Sequence, residues 1–228
     1  MKIRMRTATA VASVILAAAS LVGCSTGSDT EAIDAGTTSS TSAAVTVSAT
    51  QTAAEVLAAN KEDHAEEADS SYQESDVVDI TLSGTSAKAS GDGVTIKGST
   101  VTVTAGGTYR LSGTLTDGQI VVDAADATVK LILDGADISS STTAAIAATA
   151  AEKFVVILAD GSKNTVADSD SYADDAEVNA ALFSAADLTI TGTGALTVNG
   201  KGNDGITGKD GVVIESGNVT VNAIDDGI

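Results

Sequence analysis

Proline and tryptophan are absent from this 228-residue chain, which carries one cysteine, one histidine, two phenylalanines and three tyrosines. A lone cysteine excludes an internal disulfide, so stability in an oxidising compartment must come from packing, with bound metal as the other staple. A lone histidine, His64, excludes histidine triads and histidine-rich zinc centres. Basic residues are scarce as well: 12 Lys and Arg stand against 31 Asp and Glu, a net charge of −19. That balance excludes nucleic acid, whose phosphates need a basic footprint. It also opposes direct contact with an anionic polymer, leaving neutral polysaccharides or anionic ones bridged by divalent cations.

The N-terminus divides by composition. Residues 1–23 read as a signal peptide: Met1-Lys-Ile-Arg-Met-Arg is a basic start, and the apolar run Val11 to Ala19 is shorter than the ~20 residues of a membrane span. It ends in Leu21-Val22-Gly23-Cys24, which resembles a bacterial lipobox, so Cys24 is the expected lipid attachment site and the membrane is met only through that anchor. Residues 24–75 are rich in Ser, Thr, Ala and acids and read as a tether, with a short helix expected around Thr52 to Asp69.

From 76 to 228 the pattern is short strands. Apolar residues alternate in Val78-Asp-Ile-Thr-Leu82, Val129-Lys-Leu-Ile-Leu133, Phe154-Val-Val-Ile-Leu158, Leu188-Thr-Ile190 and Leu196-Thr-Val198, with turn signals such as Asp134-Gly135 and Asp204-Gly205 between runs. Ala144 to Glu152 and Ser169 to Ala181 fit no strand pattern and are read as excursions. The absence of proline agrees with strands that are nearly all central.

Near its end the chain repeats itself at a period of about 22 to 23 residues. Alignment pairs Phe183 with Ile206, Leu188 with Val212, Ile190 with Ile214, Leu196 with Val219, Val198 with Val221 and Asn199 with Asn222. Sandwich strands do not return in register at a fixed period, so the expected fold is all-β, a parallel β-helix in which each coil buries its apolar face on the next. The chain stops at Ile228, where a further coil would open without a closing element, so the solenoid is expected to be an incomplete, C-terminally truncated fragment.

The same alignment stacks acids. Asn203 falls over Asp225 and Asp204 over Asp226, and coils lie ~4.8 Å apart. Two like charges at ~5 Å repel by roughly 3 kcal/mol at an effective dielectric of about 20. A hard divalent cation relieves this directly, and calcium, which takes several oxygens in flexible geometry, fits best. Asp187 and Asp210 form a weaker second column, which turn formation alone accounts for slightly better than metal does, with Lys209 adjoining Asp210 as a neutralising charge. Asn199 over Asn222 is read as a structural ladder.

Asn164-Thr-Val, Tyr172, Glu177-Val-Asn-Ala-Ala-Leu-Phe-Ser184, Asp187 to Val198, Asn203-Asp-Gly-Ile206 and Gly208-Lys-Asp210 resemble the bacterial carbohydrate-binding domain family of secreted right-handed parallel β-helix proteins, similar in fold to the family 9 polysaccharide lyases. The resemblance implies calcium at Asp204, Asp225 and Asp226, and binding of cellulose or acidic plant polysaccharides by an extracellular lipoprotein. In the related lyases a lysine is the base; Lys201 and Lys209 lie near, and neither matches that position.

Three functions compete. The first is a cell-surface binding module using hydroxyls, carboxylates and calcium, since few aromatics exist for sugar stacking and Phe154 and Phe183 are expected in the core. The second is a calcium-dependent lyase of acidic polysaccharide. The third is a structural, adhesive or ice-binding solenoid, weakened because Thr95, Thr102, Thr104, Thr189, Thr191, Thr197 and Thr220 form no single flat column.

Overall fold

Alternation of β-branched and aliphatic residues with polar ones makes strands throughout. The computed structural model of the chain describes Thr52 and residues 69–228. The expected signal peptide, Cys24, His64 and the interior of the expected helix lie outside the described residues. A single 3-10 turn, Glu74–Asp76, precedes β1 (Val77–Gly84), β2 (Ser86–Ala89), β3 (Val94–Lys97), β4 (Thr100–Val103), β5 (Gly107–Leu115), β6 (Gln119–Asp123), β7 (Thr128–Ser139) and β8 (Ile146–Ala150). Later coils supply β9 (Lys153–Leu158), β10 (Lys163–Ala167), β11 (Ala180–Ser184), β12 (Asp187–Gly192), β13 (Ala195–Gly200), β14 (Asp204–Gly208), β15 (Val212–Ile214) and β16 (Asn218–Ala223). No α-helix occurs among the described residues.

The strands stack in parallel, coil on coil. One sheet runs β15-β12-β9-β7-β10-β13-β16, with β5 and β1 joined to β7, and the other runs β14-β11-β8-β6-β4-β3. The first sheet folds over a corner within β7, whose first half pairs with β9 and whose last residues pair with β10. Gly135 makes that bend at φ +73°, a left-handed conformation that favours glycine. Antiparallel pairing of β1 with β2 and β3 with β4 closes the N-terminal end.

Inward positions alternate along every strand, so Leu131, Phe154, Val156, Leu188, Ile190, Leu196 and Val198 fill one continuous core. Each such fully buried side chain contributes on the order of 2 kcal/mol. The expected pairs Leu188 with Val212, Ile190 with Ile214, Leu196 with Val219 and Val198 with Val221 are all in register. Phe154 and Phe183 are both buried.

Three expectations are corrected. Ile206 registers with Leu182 and not with Phe183, which faces Thr207. A one-residue slip reverses the face, so Phe183 sits in an outer cluster with Ala144, Ala147 and Ala180. Second, Ala144 to Glu152 is not an excursion: it contains β8, in which the consecutive Ile146, Ala147 and Ala148 are all buried and therefore show no polar alternation. Third, Gly205 is not a turn residue but lies inside β14, where a β-carbon would collide with the Val221 side chain.

Candidate functional site

The second corner of the solenoid, between the ends of β10 and β13 and the starts of β11 and β14, gathers the polar chemistry. In one coil the corner is the long segment 168–179; in the next it is only 201–203. The long segment hangs on Asp168, a buried carboxylate that accepts hydrogen bonds from Tyr172 Oη at 2.9 Å and from the Lys201 backbone N–H. Burial, and then the Asp168 carboxylate, push the Tyr172 phenol well above the ordinary tyrosine range. Tyr172 therefore stays a donor, and the loop is pinned at both ends of that bond.

On one side of Tyr172 lies a cleft of about 280 Å³ lined by Tyr172, Asp174, Asn179, Gly202 and Asn203, among others. Asn179 Nδ2 donates to Asp204 Oδ2 at 3.0 Å, and Thr207 Oγ1 donates to the same oxygen at 3.2 Å. The Asn179 backbone carbonyl accepts from Asn203 Nδ2 at 3.2 Å and from the Asp204 N–H at 3.2 Å. The carboxylate fixes which way the Asn179 amide faces, because an oxygen turned toward it would be repelled. As a result Asn179 Oδ1 is buried with no hydrogen-bond partner. Such an orphaned carbonyl oxygen costs about 1 to 3 kcal/mol unless something satisfies it.

The two turns found in the sequence do meet. Gly205 N–H donates to the Asp226 carbonyl at 2.9 Å, Ile206 N–H to the Gly227 carbonyl at 3.1 Å, and Asp225 N–H to the Asn203 carbonyl at 3.4 Å. Their carboxylates are less concentrated: Asp225 and Asp226 are exposed, and among the described residues no three His, Cys, Asp or Glu side chains converge as a metal cluster. What the structure adds beside Asp204 is amide oxygen, from Asn179 and Asn203. Asn179 was missed because it lies in the non-repeating segment, although Glu177-Val-Asn was in view.

Asp187 faces Lys153 across one strand boundary, and its next residue bonds to the carbonyl of Gly211, so Gly211 and not Asp210 stands opposite Asp187. Asp210 is exposed. Neighbouring Lys209 holds its ammonium 5.7 Å from the centre of the Phe183 ring. Asn222 Nδ2 donates to Asn199 Oδ1 at 3.1 Å, the expected ladder.

On the other side of the pinned loop is a cleft of about 270 Å³ lined mainly by hydroxyls: Thr116, Ser139, Ser140, Ser141, Ser169 and Ser171, with Asp168, Asp170 and Lys201. Asp117 stiffens its far wall, accepting from both the N–H and the hydroxyl of Ser141. Those two bonds hold the Asp117 carboxyl below its ordinary range.

Comparison with known proteins follows the same region. Residues 97–228 match the family model described as carbohydrate-binding domain-containing protein. A relative of that description from Acetivibrio thermocellus is 39% identical over 137 residues, covering 58% of this chain and 48% of the relative. The chain thus spans about half the length of that relative. A solved structure, the polysaccharide lyase-like protein from C. thermocellum in a gadolinium derivative, superposes with a TM-score of 0.62 at 37% identity, over 64% of this chain and 61% of its own.

Proposed function

The chain belongs to the carbohydrate-binding domain-containing protein family, and on that premise we propose that it binds polysaccharide at the corner around Tyr172, on a right-handed parallel β-helix supported by calcium. The observation that carries this reading is the pair of polar clefts flanking the Asp168-pinned loop. Sugar hydroxyls both donate and accept, and the serine-lined cleft offers both partners within one groove. Lys201 at its rim supplies a cation for a uronate carboxylate. The protein's surplus of acids makes that cation, and any bound metal, the means of tolerating an acidic polymer.

The opposite cleft fits a hard cation by its donor chemistry. Asn179 Oδ1 is an unsatisfied buried oxygen, Asp204 is an adjacent carboxylate, and Asn203 brings a side-chain carbonyl to the same coil edge. Asp225 and Asp226 arrive from the following coil, and Asp187 and Asp210 remain outlying members of the proposed set. Bound calcium would supply positive charge and oxygen coordination at this corner. Asp204 positions the Asn179 amide, and Asp168 with Tyr172 holds the loop that separates the two clefts.

In this reading Cys24 carries the lipid, residues 25–75 hold the module away from the membrane, and cellulose or an acidic plant polysaccharide is met outside the bacterial cell. The similarity to a protein described as polysaccharide lyase-like favours lyase action as the second reading. Titration of the protein against cellulose and polygalacturonate, with calcium and then with chelator, tests both. Calcium-dependent binding without new ultraviolet absorbance supports the binding module. Absorbance from an unsaturated uronate would replace it with the lyase, and no binding to either polymer would remove the proposal.

A further inference from the structure

The two clefts at the second corner share one connection. Tyr172 lines the cleft that also holds Asn179 and Asn203, while its hydrogen-bond acceptor, Asp168, lines the serine cleft on the far side. Asp168 is 1% exposed, and each of its carboxylate oxygens has its own donor: Oδ2 takes the Tyr172 hydroxyl at 2.9 Å and Oδ1 takes the Lys201 N–H. The Tyr172 ring lies on the backbone of Gly202, where an added β-carbon would stand 2.9 Å from two ring carbons. Ring and hydroxyl thus grip consecutive residues of the following coil, Gly202 directly and Lys201 through Asp168.

Beyond that grip the segment is tied only at its ends. Among the described residues, the hydrogen bonds made by backbone groups of 170–178 stay local: Ser171 with Ser169 Oγ, and Ala176 N–H to the Ala173 carbonyl at 3.0 Å. The segment also carries Asp170, Asp174, Asp175 and Glu177, all exposed, and no basic residue between 168 and 179. With Asp204 beside them these charges repel, which favours a segment lifted from the coil. Its far end is held by the bond from Asn179 to Asp204, where Asn179 Oδ1 is buried and unpaired. Positive charge beside Asp204 offsets the repulsion most when the segment is down, so the closed arrangement is the one that a cation favours. The same arrangement sets Ser169, Ser171 and Lys201 around the serine cleft.

We propose that Tyr172 is a positioning residue that couples the clefts, so that a divalent cation on one side and a sugar on the other each tighten the binding of the other. This rests on the reading of the clefts given above. Coupling between two sites is reciprocal, so both ligands gain by the same factor. Calorimetry on the full chain reads it with calcium and two soluble sugars: cellohexaose, which has no carboxylate for calcium to bridge, and trigalacturonate. In the parent, saturating calcium should raise the affinity for a sugar that binds by about fivefold or more, and that sugar should raise calcium affinity equally. Tyr172→Phe keeps the ring on Gly202 and loses only the hydroxyl. It should bind calcium alone and sugar alone nearly as the parent does, with the mutual gain cut below about twofold. A residue that merely stabilised the fold would weaken each ligand separately and leave the gain. Gly202→Ala displaces the same ring while sparing the hydroxyl, should cut the gain likewise, and replaces Tyr172→Phe if that protein does not fold. A parent that binds both ligands without mutual gain would overturn the coupling and leave both sites standing, and a folded Tyr172→Phe protein with the full gain would overturn the role of Tyr172. A parent that binds no calcium, or neither sugar, would remove the reading of the clefts and the coupling with it.

Discussion

Asn179 and Asp204, 25 residues apart in sequence, are joined by a 3.0 Å hydrogen bond between neighbouring coils, and that bond leaves Asn179 Oδ1 buried and unpaired. The carboxylate therefore acts twice: it carries charge at the corner and it orients an amide oxygen.

Replacing Asp204 by alanine removes the acceptor for both Asn179 and Thr207. Loss of an orienting or ligating group of this kind typically costs about 10- to 100-fold in metal affinity. Calorimetric titration with calcium should register a weakening in that range, and calcium-dependent retention on polysaccharide should fall with it. Unchanged calcium affinity in a folded Asp204→Ala protein would remove Asp204 from the site.

The repeat was readable because Leu188-Thr-Ile190 and Val212-Val-Ile214 carry apolar residues at the same spacing and pair in register, although Ile214, on the last coil, is exposed. β8 was not, because Ala147 and Ala148 are buried on opposite faces, one under the outer Phe183 cluster and one in the core, which erases the polar positions a reader looks for. The candidate site divides the same way. Asp204 was visible in a doubled turn, whereas Asn179 belongs to a segment present in one coil only, and nothing local in sequence says that it reaches Asp204.

Asn164 is the main polar tie through the coils. Its Oδ1 accepts from Gly135 N–H and Ala136 N–H, each at 2.9 Å, and its Nδ2 donates to Ser162 Oγ at 2.8 Å and the Ala195 carbonyl at 3.0 Å. Asn164→Leu keeps bulk but strands several of these groups, at about 1 to 3 kcal/mol for each one left buried. Urea unfolding should show a loss of at least about 3 kcal/mol; a loss below about 1 kcal/mol would mean that water reaches the bend.

Acid sensitivity follows from two carboxylates. The Ser141 N–H and hydroxyl lower the Asp117 pKa, and the Arg110 hydrogen bond lowers that of Glu74. A folded pKa below the unfolded one means that the unfolded chain binds protons first as pH falls. The stabilisation is therefore complete above the unfolded values, about 3.9 for Asp and 4.3 for Glu, and is lost as pH drops through the folded ones. Asp117→Asn and Glu74→Gln should each melt below the parent at pH 7, with the gap closing below about pH 4. A gap that is constant across that range would assign the effect to lost packing.

Gly205 tests the stacking of the last coils independently of any ligand. It is buried in β14, its N–H bonds the Asp226 carbonyl, and a β-carbon there would collide with Val221. Val221 lies only partly buried in β16, at the end of the stack, so it can yield by shifting outward with its strand. Gly205→Ala should then cost about 1 to 3 kcal/mol, the usual penalty for overpacking, with the damage confined to the turn 224–228 and β16. Hydrogen exchange provides the reading: faster exchange at Gly205, Ile206 and Ile224 with unchanged protection in β7 and β9 is expected. If Gly205→Ala instead loosened β7 and β9 equally, the coils would be one cooperative unit, and the nearest-neighbour picture of this solenoid would fail.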